Sequence, residues 1–285
     1  MAGNTRDIKK RIESIKSTKQ ITNAMKMVAA AKLRKAQAKI INARPYADYT
    51  NKMIRIVKLK NKYTQNSLLL EPDESEKNVI IIVTADKGLC GSFNSNILRK
   101  AFEYISDHKE SDIICIGKKG FDQLKKKSDR IIDSFLGMFN EMDFTVSKKI
   151  SDSILDLFLN QGYGKIDVIY NEFKSAIQHN IVIKQLLPII PVEDKEISQL
   201  DFIYEPDERT IINELGKKFI EIEIWRILLE SSAAEQGARM TAMDSATENA
   251  AELIQQLTLY YNRARQASIT TEIVEIASGA EAINN

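Results

Sequence analysis

Cysteine and histidine are nearly absent from this chain, with two of each in 285 residues. Cys90 and Cys115 cannot build a disulfide scaffold; they fit a reducing compartment and read as core residues. His108 and His179 stand far apart with no Cys or carboxylate at ligand spacing, so no metal site is expected. No run of about 18 apolar residues exists, which excludes a membrane-spanning helix. Proline and glycine are scarce at both ends. Only Gly3 precedes the first proline, Pro45, and after Pro206 only Gly216, Gly237 and Gly279 interrupt the sequence. The start, "MAGNTRDIKK", has neither an apolar signal region nor the acid-poor, Arg/Ser-rich make-up of a transit peptide, so the mature chain is expected to begin here.

A formal net charge of +2 hides an asymmetry. Residues 1–44 hold twelve Lys/Arg against Asp7 and Glu13, a net of +10. Residues 209–285 hold seven against eleven Asp/Glu, a net of −4, and the middle is also −4. Opposite charge at the two ends suggests that the ends meet, with basic charge to spare on the first.

Both ends read as long helices. Ile8, Ile12, Ile15, Ala29, Leu33, Ala36, Ile40, Ala47, Ile54 and Val57 keep a 4/3 spacing. Lys19, Thr22 and Lys26 interrupt that seam, while Ile21, Met25 and Val28 form a second stripe rotated around the helix. One partner cannot satisfy both faces. Pro45 is expected to kink the helix. At the other end Leu215, Phe219, Ile222, Leu229, Ala233, Met240, Met243, Ala250, Ile254, Leu257, Tyr261 and Ala264 follow a heptad-like seam, with Arg226, Gln236 and Thr247 as polar exceptions. At roughly 1.5 Å per residue this helix is about 100 Å long, more than a compact domain of this size can contain.

Between the ends the rhythm changes. "NVIIIVTA" (78–85), "DIICIG" (112–117) and "RIIDSF" (130–135) are β-branched runs of the kind buried on both sheet faces. "KIDVIYNEF" (165–173) and "IVIKQLLPI" (181–189) follow, the last two expected to pair antiparallel. Helical patterns at 94–106, 120–127 and 145–159 separate the strands, so an α/β body with a mainly parallel sheet is expected. Segments 64–77 and 191–207 read as loops. The domains expected are an N-terminal coiled-coil helix (1–60), a Rossmann-like α/β domain (61–208) and a C-terminal coiled-coil helix (209–285), the two helices forming a long antiparallel coiled coil.

The most enzyme-like piece is "TADKGLCGSFN" (84–94), a glycine turn between a strand and a helix, where doubly wound folds bind phosphate. Its spacing is G-x-x-G rather than a dinucleotide fingerprint or a P-loop, and Asp86 sets a negative charge beside any phosphate. A structural turn is the better reading. No nucleophile motif appears. The basic N-terminal helix has no aromatic interleaving or groove-reading motif, which argues against nucleic acid.

Three pieces together resemble the γ subunit of F-type ATP synthases of bacterial type. They are "ITNAMKMVAAAKLRK" (21–35), "DKGLCGSFN" (86–94), and, at the end, "EQGARMTAMDSATENA" (235–250) with "YNRARQASITTEIVEIASGAEA" (261–282). The final "ITTEIVEIASGAEA" matches the family's closing pattern, I-T-x-E-x-x-E-x-x-x-G-A, at every fixed position. The resemblance implies a non-catalytic central-stalk rotor of a proton-translocating enzyme, with no cofactor. Its paired helices stand inside a hexamer of α and β subunits, and its α/β domain sits with the ε subunit on the membrane's c-ring. It also implies a peripheral position on the cytoplasmic face of the bacterial inner membrane, without membrane insertion. By the same resemblance Met25, with Lys26 beside it, lies near an acidic segment of β, Arg239 lies at a similar level, and Arg265 and Gln266 meet a β loop higher up.

If both helices leave one base and rise equally, residue i lies beside roughly 268 − i. Met25 then falls near Met243, Ala29 near Arg239 and Met1 near Ala267, leaving 268–285 without an internal partner. That tip carries Ile269, Ile273, Ile276, Ala280 and Ile283 at helical spacing, a stripe expected to be sheathed by the hexamer. The competing reading is a nucleotide-binding α/β enzyme whose helical arms serve dimerisation. The isolated chain is expected to hydrolyse no ATP and to bind ATP or NAD weakly at most. Calorimetry giving a sub-micromolar dissociation constant for either would overturn that expectation.

Overall fold

The computed structural model describes residues 2–60, 77–139, 142–189, 205 and 207–284. The expected loops at 64–77 and 191–207 fall almost wholly outside them. The chain forms two compact units: residues 30–239, and the two chain ends, 1–29 with 240–285.

In the larger unit the β-branched runs are strands. β1 (Asn78–Val83), β2 (Asp112–Ile116), β3 (Ile131–Phe135) and β4 (Lys165–Phe173) run parallel, and β5 (His179–Leu187) pairs antiparallel to β4. Their order is β3-β2-β1-β4-β5. Alternate residues serve opposite faces. Val79, Ile81 and Val83 of β1 join one core, and Ile80 and Ile82 join the other. Both faces are covered, which is why the strand reads as an unbroken apolar run rather than an alternating one.

The helices follow the expected order: α1 (Ala2–Lys60), α2 (Phe93–Asp107), α3 (Lys118–Leu124), α4 (Phe144–Asn160) and α5 (Glu208–Asn284). Pro45 lies inside α1, which runs on past it. Asp143 caps α4 by accepting from the amides of Thr145 at 3.0 Å and Val146 at 3.2 Å, and Asp207 accepts from the Thr210 amide at 2.9 Å at the start of α5. α3 begins two residues earlier than its periodicity suggested, because tertiary contacts set its start. The Gly120 amide donates to buried Thr84 Oγ1 at 2.8 Å. Gly117, at φ +96°, has no room for a side chain, since a Cβ there would lie 2.1 Å from the Thr84 carbonyl oxygen.

α2 and α3 cover one sheet face, with Ile97, Ala101, Ile105 and Leu124. α4 and α5 cover the other, with Ile150, Ile154, Phe158, Ile220, Ile224 and Leu228, joined by Ile54 of α1. The heptad seam foresaw one buried face of α5, yet no residue in 219–239 is exposed. The sheet layer takes one side of this stretch, and Leu229 and Ile222 line a cleft shared with Ile40 and Ala47 of α1 on another. Gly237 permits the closest approach, since a Cβ there would stand 2.7 Å from the Ala176 carbonyl oxygen.

Buried charges in this stretch are paired. Glu223 meets Lys184 and Arg226, each at 2.6 Å, and Lys218 meets Glu221 at 2.7 Å. Burial opposes ionisation of Glu223, but the Lys184 and Arg226 charges outweigh it and hold its carboxyl below the usual range. Glu230 fares differently. Its nearest cation, Arg226, is 4.0 Å away, and its Oε2 is buried without a hydrogen-bond partner. Burial raises its pKa against the pull of Arg226, with Glu172 and Glu223 adding to the rise.

A carboxyl whose pKa is higher folded than unfolded favours folding while protonated, and loses that contribution as pH rises from its unfolded value through its folded one. Glu230→Gln is therefore expected to raise the melting temperature at pH 8 and to flatten its decline between about pH 5 and pH 8. Thermal denaturation across that range checks this, and an unchanged slope would count against it.

Candidate partner interface

In the unit built from the chain ends, α1 and α5 pack antiparallel. Ile8, Ile12 and Ala29 of α1 and Met243 and Ala250 of α5 are buried. Thr22 Oγ1 and Thr247 Oγ1 lie 2.8 Å apart, and Lys26 forms an ion pair with Asp244. Paired positions thus add to 269 and 270, one to two residues beyond the sequence expectation. Met25 is half-buried and Lys26 is held by its own chain.

The second stripe of α1 faces away from α5. Ile21 is 60% exposed and Val28 56%, with Met27 exposed beside them. On α5, Arg265 and Gln266 are exposed, and beyond them Ile269, Ile273 and Ile276 stand in the open, Ile276 at 73%. The side chain of Ile283 lies outside the described residues. These three apolar residues stand at helical spacing with their side chains largely in solvent.

Arg239, in the larger unit, is only 9% exposed. Its guanidinium pairs with Glu235 at 2.7 Å and donates to the Gly88 carbonyl at 3.1 Å. Burial raises the Glu235 pKa and the Arg239 charge opposes that rise. Arg239 thus anchors α5 to the turn at residues 86–94, a role its sequence position did not reveal. The available signal was Glu235 one helical turn before it, at i,i+4 spacing.

That turn is filled from within. Asp86 Oδ1 accepts from the amides of Lys118 at 3.0 Å and Gly137 at 2.9 Å, and Oδ2 accepts from Phe139 at 3.2 Å. These donors come from the start of α3 and from the segment after β3, and they tie both to a carboxylate of the turn itself. Asn94 accepts from the Ala85 amide at 3.0 Å and donates to Cys90 Sγ at 3.2 Å. Ala234 and Ala238 of α5 pack on Cys90 and Phe93. Burial raises both thiol pKa values, Cys115 to about 12. Among the described residues no cluster of His, Cys, Asp or Glu is suited to a metal ion.

With this geometry in place, comparison with known proteins is direct. The family model described as ATP synthase matches residues 4–283. The chain is 45% identical over 285 residues to the ATP synthase gamma chain of Prosthecochloris aestuarii, covering 98% of each. It is 42% identical over 302 residues to that of Salinibacter ruber, again covering 98% of each. Among solved structures it resembles a chain of the Tetrahymena thermophila mitochondrial ATP synthase central stalk and c-ring, with a TM-score of 0.63 at 26% identity, over 79% of this chain and 99% of that one. A chain of the Euglena gracilis mitochondrial enzyme shares the fold, with a TM-score of 0.74 at 22% identity over 99% of this chain and 95% of that one. The family model over residues 4–283 and the sequence match over nearly the whole length identify the chain as a member of the ATP synthase gamma chain family.

Proposed function

We propose that this gamma chain is the central-stalk rotor of a proton-translocating ATP synthase, coupling rotation of the c-ring to conformational cycling of the catalytic β subunits. The observation that carries the reading is the uncovered apolar face of the end helices, Ile21 and Val28 on α1 and Ile269, Ile273 and Ile276 on α5. Inside a sleeve of α and β subunits this face is covered. Shallow apolar contacts suit a bearing, because each must break at every step. A shaft whose sides differ in charge and shape meets each β subunit differently as it turns, and so biases each site's open and closed states in sequence.

The division of labour is a coiled-coil helix at 1–60, an α/β domain at 61–208 and a second coiled-coil helix at 209–285. The strand order β3-β2-β1-β4-β5 supports a Rossmann-like description of the α/β domain, and this domain serves as the foot that meets the ε subunit and the c-ring. Met25, Lys26, Arg239, Arg265 and Gln266 belong to the levels at which β is contacted. The chain works peripherally, on the cytoplasmic face of a bacterial inner membrane. Its relatives from bacteria support that placement, and among the described residues no helix is long and apolar enough to cross a membrane. Co-purification from native membranes with a large ATPase, its subunits then identified, tests the reading as a whole.

Met25→Lys adds a cation beside the acidic β segment, a contact that must be broken at each step. Protons pumped per ATP hydrolysed in membrane vesicles are expected to fall while the complex still assembles; unchanged pumping would speak against the placement of Met25. Ending the chain before Ser278 is expected to weaken assembly yet leave the fold intact. In the free chain, amides of 270–283 are expected to exchange fast. Strong protection there would mean that the stripe has an internal partner.

A further inference from the structure

Between Ile12 and Ala29, α1 buries no side chain. Facing it on α5 are mainly small residues, with Ala242, Ala246 and Ala251 half-buried around buried Ala250. Small apolar contacts remove little area from water, so they discriminate weakly between one alignment of the two helices and the next. Something else must fix the phase of this stretch. Two polar contacts stand here, Thr22 with Thr247 and Lys26 with Asp244.

The threonine pair is directional. Thr247 Oγ1 also lies 2.7 Å from the Met243 carbonyl oxygen, and Thr22 Oγ1 lies 3.1 Å from that of Lys19. Two hydroxyl hydrogens cannot serve three contacts. The shortest consistent arrangement has Thr247 donating to Met243 and Thr22 donating across the interface to Thr247. The ion pair has side chains 38% and 44% exposed, so it adds little to stability as such. Its value lies in what other alignments lack.

A shift of one residue, about 1.5 Å of rise with roughly 100° of roll, sets Thr22 against Ala246 or Glu248 and Lys26 against Met243 or Ser245. Both contacts are lost. A shift of one turn lets Lys26 find Glu248, but strands Thr22 against Ala251. A shift of one turn the other way offers Asp244 to Thr22 but leaves Lys26 facing Thr241 or Met240, so of these alignments the observed one alone keeps both the hydroxyl pair and the ion pair, in the way a single polar layer sets register in a coiled coil.

We infer that Thr22, Thr247, Lys26 and Asp244 act as a phase lock, positioning residues that fix how α1 is rolled against α5 and therefore which face presents Ile21 and Val28 outward. The consequence for coupling rests on the rotor reading above: a shaft whose helices roll on one another takes up twist instead of transmitting it.

Cysteine cross-linking in the full chain tests the lock without reference to the rotor. The buried, high-pKa thiols of Cys90 and Cys115 are slow to oxidise. The pair Ile15→Cys with Ile254→Cys reports the observed phase, and Ser14→Cys with Ile254→Cys, whose positions match a one-residue shift, reports a rolled one. In the otherwise unchanged chain only the first is expected to cross-link. Adding Thr22→Val, Thr247→Val and Asp244→Lys, which keep the helix-forming character, is expected to cut the first product several-fold and bring up the second. The charge swap Lys26→Asp with Asp244→Lys, threonines intact, is expected to restore the first alone. A triple variant that still gives only the first product, or a swap that does not restore it, overturns the inference. In assembled complexes, pumping per ATP is expected to fall for Asp244→Lys and recover in the swap. A rolled cross-link with unchanged pumping would leave the lock standing and count against the rotor reading.

Discussion

A helix enclosed on all sides cannot leave its charges to water, and residues 219–239 of α5 are arranged around that constraint. Glu221, Glu223, Glu235 and Arg239 are all buried there. All four charges find a partner on their own helix within about one turn or on the adjoining strand: Lys218 for Glu221, Lys184 and Arg226 for Glu223, and Glu235 and Arg239 for each other. An unpaired charge in such a place costs several kcal/mol, on the order of what a whole domain has to spare. The pairs are therefore conditions of the fold rather than additions to it. They also help to orient this stretch, because Lys184 on β5 ties Glu223 to the sheet.

The unit made from the chain ends follows the opposite rule. Its core is thin, with Ile8, Ile12, Ala29, Met243 and Ala250 buried and much else in solvent. A thin core with small side chains keeps two helices close and leaves their outer faces free. Ile21, Met27 and Val28 on α1, and Leu259 and Tyr260 on α5, occupy those outer faces. Polar contacts take over the task of alignment where apolar ones are too weak to do it, which is the part played by Thr22 with Thr247 and Lys26 with Asp244.

These two rules account for what could be read from the sequence. The strands were legible because a sheet covered on both faces demands β-branched runs such as "NVIIIV", and nothing else in the chain has that texture. The alignment of the end helices was legible to within two residues, because both rise by the same increment. Full burial of 219–239 was not. Glutamates such as Glu221, Glu223 and Glu235 read in the sequence as residues for water, and only the partners brought in by folding, Lys184 above all, reverse that meaning. The role of Arg239 inside the chain was hidden for the same reason, since Glu235 and the Gly88 carbonyl reach its guanidinium only in the fold. Lys26 was legible as a charge on the seam but not as half of an ion pair, since Asp244 lies more than 200 residues away.

The turn at 86–94 carries its own anion. At the carboxyl end of β1, backbone amides converge where a phosphate would be welcome. Here Asp86 supplies the anion from within the chain, and three amides from the start of α3 and the segment after β3 close on its two oxygens. The carbonyls on the other side of the turn are left facing α5, where Arg239 meets them. Asp86 and Arg239 thus use opposite faces of one turn, the carboxylate collecting its donors and the guanidinium its acceptors. Both sets of contacts are made within the chain, so at this turn the sheet and α5 are joined by the chain's own side chains.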